Sequence, residues 1–152
     1  MENEKIAIIA PANIKYVPYI KNYYDILKSL NQPYYTISWD KAEIEEDVEF
    51  SLHYTVADEN RKKMLLGYFR FAKKCREIIK KNKTQKIIIL TAAPAFFLGM
   101  RFLRMHTYIL DIRDDSPLIR VAKKVFSKIC NYAETIVVSS PNFRPWVSKE
   151  AT

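Results

Sequence analysis

Apolar residues fall along this chain in short blocks whose spacing switches between two periods. Lys5 to Ala10, KIAIIA, is a continuous apolar run closed by Pro11, the pattern of a strand buried on both faces. From Pro18 to Leu30 the period becomes helical. Val17, Ile20, Tyr24 and Leu27 form one stripe, and Tyr19, Tyr23, Ile26 and Leu30 form a second beside it. So wide an apolar face predicts packing on a sheet and on something else as well. Asn31-Gln32-Pro33 ends the helix, and Tyr34 to Trp39 is β-branched and aromatic, hence a second strand. After an acidic connection, Glu49 to Val56 alternates, with Phe50, Leu52, Tyr54 and Val56 on one face, predicting a third.

The remainder alternates regularly. Arg61 to Asn82 reads as a long helix with Leu65, Tyr68, Ala72, Cys75 and Ile79 on its apolar stripe. Lys86 to Thr91 is a strand, Pro94 to Arg104 a short helix and Thr107 to Ile112 a strand. Ser116-Pro117 pairs an N-cap with a first-turn proline and opens a helix to about Asn131. Glu134 to Val138 is the last strand, and Ser140-Pro141 opens a final helical turn. Strands alternating with helices predict a single α/β domain: a doubly wound, mostly parallel, Rossmann-like sheet of about six strands in the order 3-2-1-4-5-6, with helices on both faces. Such sheets bind ligands beyond the carboxyl ends of their strands. That places candidate substrate contacts at Pro11, Ala12, Asn13 and Tyr16, at Ala93, at Asp115, and at Ser139 and Ser140.

Composition narrows the chemistry. In 152 residues there are two glycines, Gly67 and Gly99, too few and too far apart for a dinucleotide fingerprint or a Walker loop. Cys75 and Cys130 fit neither a CxxC pair nor a zinc framework and read as small buried hydrophobes of a reduced compartment. The polar start is no signal peptide, and no stretch approaches the roughly 18 apolar residues of a membrane span. GxSxG is absent, which excludes α/β-hydrolase chemistry. His53 and His106 read as surface or hydrogen-bonded side chains.

The net charge of +8 is local. Residues 61 to 83 carry 10 basic side chains and one acidic, whereas residues 1 to 60 carry 5 basic and 11 acidic. Lys62, Lys63, Arg70, Lys73, Lys74, Lys80 and Lys81 therefore make one basic helix face. Three readings stand for it: a solvated outer face, a surface that meets anionic headgroups of a membrane, and a nucleic-acid contact, the last without any recognisable binding motif. The other dense cluster is Asp111-Ile112-Arg113-Asp114-Asp115-Ser116, at the carboxyl end of the fifth strand. Period-two alternation sets Asp111 and Arg113 on one side and Asp114 on the other. An acid beside an arginine serves either as a general base kept ionised or as a structural ion pair. Asp114 and Asp115 are adjacent and diverge, DxD is absent, and no metal site is expected.

KIAIIAPA, YILDIRDDSP and NYAETIVVSSPNFRPWV, in this order and spacing, resemble the N-terminal, acceptor-side domain of a GT-B glycosyltransferase of the family 4 kind, enzymes that build bacterial capsular, exopolysaccharide or lipopolysaccharide chains. Glu134 stands where that family usually has Asp. The resemblance implies transfer of a sugar, hexosyl in type, from a nucleotide-sugar to a lipid-linked or polysaccharide acceptor. It implies Arg113 and Asp114 as the catalytic pair near the transferred sugar. It further implies a C-terminal donor-binding domain that holds the nucleotide-sugar; no cofactor is expected in this chain. The expectation is then a lone acceptor half, inactive alone, ending about where the linker would start, cytoplasmic and docked at the inner face of the membrane. A non-enzymatic basic module for anionic lipid or nucleic acid is the alternative.

Overall fold

The computed structural model describes residues 4–44, 46, 53–57 and 64–147. Six strands form one parallel sheet in the order β3-β2-β1-β4-β5-β6, as the pattern predicts: β1 Ile6–Ala10, β2 Tyr34–Asp40, β3 His53–Ala57, β4 Lys86–Leu90, β5 Thr107–Ile112 and β6 Thr135–Val138. The expected start of the third strand, residues 49–52, lies outside the described residues.

The connections cover the two faces unequally. Helix α1, Ile20–Ser29, packs Ile20, Tyr24 and Leu27 onto Ile8, Ala10, Ile88 and Leu90. The opposite face carries Ala7, Ile9, Tyr35, Ile37, Trp39, Ile87, Ile89, Tyr108, Leu110 and Ile112. Helices α2, Met64–Lys81, and α3, Ala92–Leu98, cover it, as do α4, Met100–Leu103, α5, Pro117–Val121, and α6, Lys123–Tyr132. The asymmetry follows from right-handed crossovers. The one helix of the leftward step from β1 to β2 falls on one side, and those of the rightward steps fall on the other. Cys75 and Cys130 are buried, free thiols in α2 and α6.

Four expectations about helices need correction. Pro18 lies in the turn before α1, whose first regular residue is Ile20. The helix expected from Pro94 to Arg104 begins at Ala92 and breaks at Gly99, whose φ of +84° suits glycine and divides α3 from α4. The helix from Pro117 is interrupted at Ala122, between α5 and α6. Leu65 leaves the apolar stripe of α2, being 64 % exposed; Gly67 and Phe71 join Ala72, Cys75 and Ile79 beneath it.

Candidate functional site

The carboxyl ends of β1, β4 and β5 meet at a crevice where the strand order reverses, and two polar networks occupy it. The first closes the loop after β1. Asn13 is buried, and its amide donates to Asp40 Oδ1 at 2.7 Å. Its Oδ1 accepts the backbone N–H groups of Lys41 and Ala42, each at 3.0 Å. Glu46 accepts the N–H groups of Ile14 and Lys15 at 3.0 and 2.8 Å, capping the 3-10 turn Ile14–Tyr16. The side chain of Asn13 thus ties the β1 loop to the β2 loop. Pro11 is buried beside it, Ala12 is half-buried, and Tyr16 is exposed with Lys15 Nζ 5.9 Å over its ring.

The second network centres on Asp111, a carboxylate with no solvent exposure. Burying an ionised carboxylate costs several kcal/mol unless its lone pairs are filled. Here Arg113 Nε donates to Oδ1 at 2.8 Å, Arg113 Nη2 donates to Oδ2 at 3.0 Å, and the Tyr23 hydroxyl donates to Oδ2 at 2.5 Å. The Arg113 guanidinium also lies on the Tyr19 ring, 4.3 Å from its centroid, a cation–π contact. Period-two alternation in β5 turns Asp111 toward α1. Tyr19 and Tyr23, four residues apart, stand on the side of α1 that meets it.

The electrostatics agree with the geometry. The hydrogen bond to Asp111 pushes the Arg113 pKa further up. Burial, with the carboxylates of Asp111 and Asp114, lifts the Tyr19 hydroxyl to about 12. Burial and the bond to Asp111 also raise Tyr23. Both phenols stay protonated and act as donors or packing surfaces rather than bases.

The remaining candidates distribute around this core. Asp114 is exposed, and it is Asp111 that pairs with Arg113. Asp115 is exposed and paired with Arg120. Ser139 donates to the Arg113 carbonyl at 3.4 Å and its amide to the Ile112 carbonyl at 3.1 Å, which brings the β6 loop to the β5 loop. Ser140 Oγ accepts from Asn142 N at 3.3 Å, starting the 3-10 turn Pro141–Trp146. Ala93 is half-buried in α3. Tyr19 and Tyr23 were not among the candidates, because an apolar helix stripe reads as packing; their signal was the second stripe on α1.

On α2, Arg70, Lys73, Lys74, Lys80 and Lys81 are exposed, and Lys74 pairs with Glu77 at 3.2 Å. Lys62 and Lys63 lie outside the described residues. Arg76 differs from its neighbours: it donates to the carbonyls of Phe97 and Leu98 at 3.0 and 3.2 Å and holds the end of α3. The first turns of α2 expose Met64, Leu65 and Phe69 by 69, 64 and 58 %. A groove of about 360 Å³ runs between β3 and α2, with Trp39, Tyr54 and Gly67 among its walls and Arg70 and Lys73 at its rim. Another cavity, about 460 Å³, lies between Arg120, Lys123 and Trp146. Neither contains the Asp111 network.

His53 accepts or donates one bond, to Ser38 Oγ at 2.7 Å, and burial lowers its pKa. His106 Nδ1 lies 2.8 Å from the Phe102 carbonyl. Among the described residues no cluster of three or more metal-capable side chains occurs, and no helix is long and apolar enough to cross a membrane.

No protein-family model and no curated protein sequence matches this chain. Solved structures do. A sucrose-phosphate synthase from Thermosynechococcus elongatus matches with a TM-score of 0.67 at 17% identity, over 96% of this chain and 84% of that one. An alpha-glucosyltransferase, in complex with UDP and a 13-mer DNA containing a central A:G mismatch, matches with a TM-score of 0.55 at 12% identity. That match covers 94% of this chain and 39% of the other, so this chain spans about two fifths of the alpha-glucosyltransferase's length. At such identities the likeness is one of fold.

Proposed function

We propose that this chain is the acceptor-binding, N-terminal half of a GT-B glycosyltransferase of the family 4 kind, acting in bacterial surface-polysaccharide synthesis. The observation that carries the reading is the Asp111–Arg113 pair with exposed Asp114 beside it, at the carboxyl ends of a 3-2-1-4-5-6 sheet. The likeness of fold to a sucrose-phosphate synthase and an alpha-glucosyltransferase supports it. The nucleotide-sugar would sit on a C-terminal donor-binding domain, which agrees with the scarcity of glycine here and with a β1 loop closed by Asn13.

In this reading the chain's own residues place an acceptor hydroxyl against the anomeric carbon of a sugar held across the cleft. Asp114 takes the hydroxyl proton, and Arg113, fixed by Asp111 and Tyr19, donates to sugar oxygens. The test is transfer from a nucleotide-sugar to a lipid-linked acceptor by this chain joined to its donor-binding domain. Asp114→Ala should lower kcat/KM by about 10²-fold or more, the usual scale for a proton-transfer group. Unchanged kcat/KM, with an unchanged melting temperature, rejects the assignment.

The exposed Met64, Leu65 and Phe69, flanked by Arg70 and Lys73, favour a second component. Apolar side chains at one end of a basic helix suit an anionic bilayer, where the chains enter the acyl boundary and the cations meet headgroups. The protein would then work at the inner face of the cell membrane, where a lipid-linked acceptor lies. Nucleic acid offers no use for the apolar residues and is the weaker partner.

A further inference from the structure

Strand β3 forms one edge of the sheet. It pairs with β2 along its whole length, and among the described residues no strand lies on its other side. Successive residues of a parallel strand point their N–H and C=O groups to opposite neighbours, so every second residue of β3 offers both groups outward. The groove between β3 and α2 opens along this edge. Four successive residues, Tyr54–Ala57, line it, so main chain as well as alternate side chains form that wall. Trp39 lines it from β2, and Gly67, which puts no side chain into the space, lines it from α2. The walls are tied to one another. Asn82 Nδ2, just past the end of α2, donates to the Tyr54 hydroxyl at 3.1 Å, and the Trp39 ring stacks on Phe71 of α2 at 5.2 Å.

Charge sets the class of partner that fits here. Among the described residues lining the groove, Arg70, Lys73 and Lys74 are cations and none is an acid. Lys41 Nζ, 4.1 Å over the Trp39 ring, adds a further positive charge beside it. The neighbouring acids are already engaged. Asp40 accepts from Asn13, and Glu77 pairs with Lys74 at 3.2 Å. That exposed pair contributes about 1 kcal/mol or less, and an incoming carboxylate can replace it. Spacing fits as well as sign. Arg70 and Lys74 lie one helical turn apart, about 6 Å along the axis, and side chains on one face of an extended chain recur about every 6.6 Å. Phe69 and Arg76 lie on the other flank of α2, against Phe97 and the end of α3, and take no part in the groove.

We infer that this groove binds an extended acidic peptide segment of a partner protein, which adds to β3 as a further strand and sets carboxylates two residues apart against Arg70 and Lys74. The strand edge selects a partner with N–H and C=O groups at strand spacing, which a peptide has and a lipid headgroup lacks. The sugar-transfer reading is not needed for this, because the groove does not contain the Asp111 network. The test follows amide signals of the 152-residue protein by NMR during titration with the peptide acetyl-TEVEVET-amide, whose three glutamates share one face. The amides of Thr55, Val56, Ala57 and Gly67 should shift saturably. Glutamine in place of every glutamate should weaken binding about tenfold, the sum of a few exposed ion pairs. Two further peptides, N-methylated on the glutamates or on the valines, should differ. The set whose nitrogens face β3 should lose about tenfold or more with its hydrogen-bond donors, and the other set should bind like the parent. Arg70→Glu with Lys74→Glu should weaken the glutamate peptide about tenfold and bind acetyl-TKVKVKT-amide better than the unaltered protein does. Equal binding of the glutamate and glutamine peptides, equal behaviour of the two methylated peptides, or shifts confined to residues outside β3 and α2 would each overturn the inference. No response to the peptide would also overturn it, and if phosphatidylglycerol vesicles then shift the groove amides, the groove belongs to lipid.

Discussion

The crevice network and the outer face of α2 are the two concentrations of charge in this molecule, and they are built oppositely. In the crevice one carboxylate and one guanidinium are fixed by five contacts: two bonds between them, one from Tyr23, the Tyr19 ring, and the Ser139 bond to the Arg113 carbonyl. On α2, Lys73, Lys74, Lys80 and Lys81 are exposed to water. Lys80 and Lys81 gain a little from the carboxyl end of the helix, and the exposed Lys74–Glu77 pair contributes about 1 kcal/mol or less. The difference teaches that density of charge along a sequence marks a surface, whereas a single buried pair marks a site.

Substitutions should separate the two regions sharply. Arg113→Ala leaves Asp111 buried without its partner and should cost about 3–5 kcal/mol, read as a large fall in Tm. Arg113→Lys should restore part of this, since an ammonium cannot reproduce the two-point contact. If Arg113→Ala melts like the parent, the pair is not a structural anchor. Tyr23→Phe removes a hydrogen bond to a charged group and should cost about 1.5–3 kcal/mol, with circular dichroism of the folded state unchanged.

A pH series sharpens the same comparison. The Tyr19 pKa is raised in the folded state from 10.0 to about 12, first by burial and then by Asp111 and Asp114. The folded protein therefore holds this proton more tightly than the unfolded chain. Its contribution to stability is complete below pH 10 and is lost as pH rises toward 12. Tyr19→Phe should flatten that part of the alkaline loss in urea titrations; an identical slope in both proteins would remove Tyr19 from the network. The smallest stability effect belongs to α2. Lys73→Glu with Lys80→Glu and Lys81→Glu should lower Tm by only a few °C, chiefly because two acids then oppose the dipole at the end of the helix, yet abolish salt-sensitive flotation with phosphatidylglycerol vesicles. Flotation that survives the charge reversal would refute headgroup contact by this face.

Much of the fold was legible because its signals are local. KIAIIA and KIIIL can only be buried strands, and right-handed crossovers leave one sheet order for this sequence of elements. Helix interruptions at Gly99 and Ala122 were missed, since apolar periodicity carries across a single break. The candidate site was legible in part. Alternation along YILDIR set Asp111 and Arg113 on one side, but the choice between reactive acid and structural pair stayed open until Tyr23 and Tyr19 were seen against them. Asn13 reads from the sequence as a candidate substrate contact; its bonds to Asp40, Lys41 and Ala42 carry no signal there, since they join segments far apart in the chain.

By itself, then, the sequence determined the layered α/β sheet, the end of it where the strand order places a candidate site, and the concentration of positive charge in residues 61 to 83, because each depends on spacing within a few residues. Only the tertiary structure decided which charges are used up in holding the molecule together and which remain available. It also decided that Leu65 and Phe69 face outward and that Arg76 turns inward. These outcomes depend on what the opposite strand or helix presents at contact distance, and burial gives such contacts their energy.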